Sequence, residues 1–252
     1  MASAAQVSVV HRQGEIHGFL VLRNLDGEAV AEGDLAQVTR GDRVTVHLVF
    51  HFKDGSVNDE TTVFSQRGTF KLVSDHLVQK GPAFRRPLDL AINGLTGQVT
   101  VRYADDDGKE KVVTDVLKMP PDVANGFLFP VLANIKPDVP KTIVSLVVAT
   151  PKPRIVKLVI VPEGEDPFST VGFSHKATRY VVKVDIGGAA GIVAPLIGKQ
   201  PPDTHVWVVQ GEAPVVIKSE GPMFDGGPIW RIEFTSPVFP QKTADAKSQQ
   251  KN

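Results

Sequence analysis

Apolar residues recur at every second position through much of this chain. Val44, Val46, Leu48, Phe50 and Phe52 alternate with Arg43, Thr45, His47, Val49 and His51, the pattern of a strand with one apolar and one mostly polar face. Similar runs cover 19–22, 99–103, 143–148, 155–161, 179–186, 206–209, 215–217 and 229–234. β-Branched residues fill them, as a pleated, half-buried surface favours. Asp26-Gly27, Asp54-Gly55, Asn93-Gly94, Thr96-Gly97 and Asp107-Gly108 stand between runs. Glycine accepts positive φ at no steric cost, so these pairs suit tight hairpins, and short joints connect antiparallel rather than parallel neighbours.

Two stretches depart from this period. After Pro120-Pro121-Asp122, residues Val123, Phe127, Val131 and Ile135 recur at helical spacing, with Asp122 placed to cap a short helix that Gly126 and Pro130 weaken. The run 187–198 is apolar and rich in small residues, which predicts a short helix or a buried loop. The fold class that follows is mainly β: a large bent antiparallel sheet, an unclosed barrel, partly wrapped around one or two short helical segments. A closed barrel or a β-sandwich is the alternative. Residues 1–240 read as a single β-rich domain and 241–252 as a disordered polar tail. The length of 252 residues is compatible with one core in an all-β chain.

Charge narrows the partners. Lys+Arg and Asp+Glu are equal at 28 each, so the basic surplus that counterion release demands of a nucleic-acid binder is missing. No apolar run reaches the roughly 18–20 residues of a spanning helix. The stretch 127–135 comes nearest and is broken by Pro130. The chain has no cysteine, which removes disulfides, thiolate metal sites and a cysteine nucleophile together. Ala2-Ser3-Ala4-Ala5-Gln6 looks like the small-residue end left after signal cleavage. The expected location is periplasmic or secreted, with the cytoplasm as the alternative.

Four constellations bear on chemistry. His47 and His51 share a face, but four strand steps separate them by roughly 13 Å, too far for one ion with bonds near ~2 Å; His76 or His17 on a neighbouring strand could still approach either. The segment 191–200 ends in Gly198-Lys199-Gln200 and lacks the spacing and the Ser or Thr of a phosphate loop. Ser174-His175 has no nucleophile elbow around it, and adjacent strand residues point to opposite sides. Asp59-Glu60 and the acids 105–107 are candidate paired carboxylates or calcium ligands, the second fitting a solvated hairpin tip better. No catalytic residue, metal ligand or cofactor is assigned. Among 13 Phe, two Tyr and two Trp, Trp207 and Trp230 read as core residues or as the lining of an apolar ligand surface.

The strand run, its two interruptions, and the segments Phe52-Lys53-Asp54-Gly55-Ser56, Gly198-Lys199-Gln200-Pro201-Pro202-Asp203 and Gly226-Gly227-Pro228-Ile229-Trp230-Arg231-Ile232 are similar in plan to exported bacterial proteins of uncharacterised function with a bent antiparallel sheet. These resemble the LolA/LolB lipoprotein carriers over roughly 9–240. The carriers are shorter, and the lipidated cysteine of LolB has no counterpart, so no site residue transfers. The resemblance implies an envelope protein with an apolar concavity suited to acyl chains.

The expected function is non-enzymatic binding or carriage of a hydrophobic ligand, a lipid or acyl group. Phe127, Phe129, Val131, Ile192, Ile197, Trp207 and Trp230 are the candidate ligand-binding residues. A structural or protein-interaction module with a filled core is the alternative, and a metal-assisted hydrolase using His47 or His51 the third reading. The sequence names no oligomeric state.

Overall fold

The structure is a computed structural model that describes residues 6–105, 107–149, 152–170, 173–185, 187 and 201–235. Its strands are β1 (Ile16–Arg23), β2 (Ala29–Arg40), β3 (Arg43–Phe52), β4 (Val57–Ser65), β5 (Lys71–Lys80), β6 (Leu88–Asn93), β7 (Gln98–Ala104) and β8 (Glu110–Val116). After the helix α1 (Leu128–Leu132) come β9 (Thr142–Val148), β10 (Arg154–Thr170), β11 (Phe173–Asp185), β12 (Thr204–Val209), β13 (Val215–Gly221) and β14 (Trp230–Thr235). All fourteen form one sheet in the order β8-β7-β6-β5-β4-β3-β2-β1-β14-β13-β12-β11-β10-β9, with every pair antiparallel.

Two consecutive meanders, β1 to β8 and β9 to β14, are thus joined where β1 meets β14. Turn chemistry sets the register. At the β3–β4 joint Gly55 takes φ +85°, the Gly55 amide donates to the Phe52 carbonyl at 3.0 Å, and the Ser56 amide donates to Asp54 Oδ1 at 2.9 Å. The ends of the sheet, β8 and β9, do not pair, so the barrel stays open and neither the closed barrel nor the sandwich is formed. Segment 122–125 covers the β9 edge: the Ala124 amide donates to the Ser145 carbonyl at 2.9 Å, while the Asn125 side chain exchanges two 2.9 Å bonds with the Val147 backbone. Covering an edge removes a template for unwanted strand pairing.

The sheet curls around α1. One core joins Val44, Phe64, Leu90 and Val101 from the first meander to Val144, Ile160, Tyr180 and Val206 from the second, with Phe127, Val131, Leu132 and Ile135 between them. Phe127 stacks on Phe64 at 4.8 Å between ring centroids, and burying such a ring stabilises the fold by about 1.5–3 kcal/mol. A second core, made of Leu20, Leu22, Phe50, Phe52, Phe84 and Trp230, closes the other end of the concavity.

The helix is shorter than its spacing predicts and starts elsewhere. Gly126 takes φ +69°, which interrupts helical geometry, and Phe127 rather than Asp122 occupies the N-cap. Asp122 instead accepts a bond from Ser145 Oγ at 2.9 Å on the covered edge. The segment is held at its far end by Asn134, whose Oδ1 accepts from the Val10 and His11 amides at 2.8 and 2.7 Å, and by Tyr180, whose hydroxyl donates to the Ile135 carbonyl at 2.7 Å. The expected interruption at 187–198 and the tail 241–252 lie outside the described residues, apart from Gly187.

Candidate binding site on the concave face

Register and burial together identify which side chains line the concavity. The row Leu35–Leu48–Glu60–Leu77–Leu90–Val101 runs across six strands, each residue opposite the next. Leu90 and Val101 are buried, whereas Leu35, Leu48, Glu60 and Leu77 keep part of their surface open. A single carboxyl therefore interrupts a row of leucines on the inner wall.

Polar residues flank it along β4 and β5. Gln79 Nε2 donates to Asn58 Oδ1 at 2.8 Å and to the Met223 carbonyl at 3.0 Å. Thr62 Oγ1 donates to Asp75 Oδ1 at 2.6 Å. Asp75 is only 2% exposed, and its Oδ2 has no hydrogen-bond partner. Glu60 faces Leu77, two residues from Asp75, which makes the two acids diagonal neighbours on one face at roughly 7–8 Å between backbones. Burial first, and then repulsion from Asp75, push the Glu60 carboxyl up to about 8. Burial likewise raises Asp75, against the opposing hydrogen bond from Thr62. Near neutral pH the pair therefore holds a proton that two separate surface acids would have lost. Gly126 roofs this polar strip, and any side chain there would overlap Thr62 and Asp75.

Phe129 of α1 faces a narrow cleft of about 10 Å³, walled by Leu20, Ile217, Ile232 and Phe234. That volume has room for about one water molecule and is far below the ~300–1,000 Å³ of ordinary ligand pockets. A guest larger than a water molecule requires Phe129 to swing aside. Phe129 is half-buried, so this motion uncovers little packed surface.

The residues expected at the site occupy several places. Phe129 lines the cleft. Phe127 and Val131 are packed in the main core, at 1% and 2% exposure. Trp230 belongs to the second core, 5.2 Å from the Phe52 ring. Trp207 lies on the opposite, convex face, where its Nε1–H donates to Asp166 Oδ2 at 2.7 Å and the Lys218 ammonium sits 3.6 Å above the ring. Ile192 and Ile197 fall outside the described residues. Asp59 and Glu60, read as a candidate carboxylate pair, fall on opposite faces of β4, and the inward polar row of Asn58, Glu60 and Thr62 was not singled out because the strand is polar on both faces. The signal was the count of polar positions: Asn58, Glu60 and Thr62 all fall on the inward side of one strand.

The strand histidines His17, His47, His51 and His76 lie on the convex face. His47 and His51 both point outward from β3, four residues apart on one face. His17, His47 and His76 occupy one cross-strand row, Ala36 and Thr61 intervening, so each is two strands, or roughly 10 Å, from the next. Each contacts its own aspartate instead: His17–Asp34 at 3.1 Å, His47–Asp59 at 2.9 Å and His76–Asp89 at 3.0 Å. Among the described residues no group of three His, Asp or Glu is arranged to hold a metal ion. His175 stacks on Phe168 at 5.1 Å in the β10–β11 hairpin. Asp105 sits at the β7–β8 hairpin tip, where hydrogen bonds led by the Lys109 amide hold its carboxyl below the usual range.

No family model matches the chain, and no curated protein matches it. Two solved structures are similar in outline. One is the β-barrel-like protein of domain of unknown function DUF1849 from Brucella abortus, at TM-score 0.46 and 9% identity, covering 89% of this chain and 97% of that one. The other is the hypothetical lipoprotein YmcC from Escherichia coli, at TM-score 0.35 and 9% identity, covering 88% and 85%.

Proposed function

We propose that this protein binds a hydrophobic molecule, a lipid or acyl group, in the concavity of its unclosed sheet, without catalysing a reaction. The observation that carries this reading is that Leu35, Leu48, Leu77 and Phe129 pack against the two cores yet stay partly exposed. A fold that needed the concavity only as packing would cover these side chains, since each buried methylene adds about 0.8 kcal/mol. Carriage within the cell envelope is the role that the likeness in plan to the LolA/LolB carriers suggests.

Native mass spectrometry of gently purified protein tests the reading, which expects co-purifying lipid or uptake of an added acyl probe. Phe129→Asp should weaken that uptake strongly while changing thermal stability little. Repeated absence of any bound amphiphile, with the acyl probe also refused, overturns the proposal. A second reading, a protein-interaction module, draws on the extent to which α1 fills the interior. It expects instead that Phe129→Asp leaves every binding property unchanged.

A further inference from the structure

We infer that the concave face selects a cationic amphiphile, an apolar chain bearing an amine head group, and that Glu60 is the residue that meets the amine. This inference rests on the reading of the concavity as a hydrophobic-ligand site.

Four observations lead there. Glu60 and Asp75 project from neighbouring strands onto the same inner surface. The inward positions of β3 to β6, and all of α1, contain no Lys, Arg or His among the described residues. The neighbouring donors are already engaged: Gln79 with Asn58 and Met223, and Thr62 with Asp75. Finally, Asp75 Oδ2 is buried with no hydrogen-bond partner, and the one cationic group bearing on its charge is His76, whose side chain lies on the outward face. A buried carboxyl without a counter-charge is costly, and the molecule meets that cost here by retaining a proton. An arriving ammonium replaces that proton, which leaves to solvent, and donates N–H bonds to the ionised carboxylate while its chain lies along Leu48 and Leu35. A fatty acid would bring a second negative charge beside the ionised Asp75 and be disfavoured.

Head-group selectivity decides the matter. Decylamine, decanol and decanoate share one tail and differ only at the polar end, so their affinities at pH 7.5 can be compared by calorimetry on the intact chain. The expected order is decylamine first, then decanol, then decanoate, with the amine at least about tenfold tighter than the acid. Glu60→Gln should bring decylamine down to the level of decanol and leave decanol unchanged. Decanoate binding as well as decylamine, or a Glu60→Gln protein that folds and keeps the full amine preference, overturns the inference while decanol binding sustains the hydrophobic-ligand reading. Refusal of all three overturns both. Should Glu60→Gln fail to fold, the order of the three compounds on the unaltered protein still decides.

Discussion

Replacing Glu60 by Gln removes one titrating proton from the inner wall while keeping the side chain's shape, and its effect on stability can be worked out in sign and size. The Glu60 carboxyl is raised from 4.5 to about 8, chiefly by burial. Between those values the folded protein holds close to one proton more than the unfolded chain. Unfolding free energy then falls as pH rises, by ~1.4 kcal/mol per pH unit for a full proton. The contribution is fully present below about pH 4.5 and is lost as pH climbs through the native value. Between pH 6 and 7.5 Asp75 adds little, since its own rise reaches only about 6. Glu60 would therefore cost the wild type up to about 2 kcal/mol across that interval, and about 1–2 kcal/mol once partial water access is allowed for. Glu60→Gln lacks this loss. Urea unfolding of both proteins at pH 6 and pH 7.5 reads the difference directly, because the two proteins differ at this carboxyl alone. For a chain of this size the same difference appears as roughly 2–6 °C in Tm. Parallel pH dependences in the two proteins would refute both the raised carboxyl and the unbalanced charge assigned to the strip.

Two further substitutions probe how the roof of the site is held. Gly55→Ala and Gly126→Ala both place an L side chain at positive φ, φ +85° and φ +69°, but only Gly126 presses on Thr62 and Asp75. Denaturant titration should show about 1 kcal/mol lost at Gly55 and more than about 3 kcal/mol at Gly126; equal losses would mean that the Gly126 contact is not close. Asn134→Ala leaves the Val10 and His11 amides without their acceptor and should cost about 2–4 kcal/mol. Hydrogen exchange at those two amides should rise together with the loss, and unchanged protection there would count against the tie between the N-terminal segment and α1.

The strands with a clean two-residue period were legible from the residues themselves. β3 shows why: Val44, Val46, Phe50 and Phe52 are buried and Arg43, Thr45, His47 and His51 exposed. Hydrophobic alternation is a local property and needs no partner strand to be read. β2, β4, β5 and β8 were not legible in this way. Their outward faces carry charge and their inward faces mix polar with apolar residues, so the period is blurred. β10 extends to Thr170, well past the apolar run that announced it.

Local periodicity and turn residues mark the chain as a mainly antiparallel β-protein, broken after Pro121 by a short apolar segment. The tertiary structure decided what that segment does. Register across six strands set Glu60 among leucines, brought Asp75 beside it, and sent its sequence neighbour Asp59 to the opposite face to meet His47. Pairing between strands distant in sequence is invisible to local periodicity. A one-residue slip in that pairing would exchange the two faces, so Asp59 would enter the leucine row and Glu60 would meet solvent.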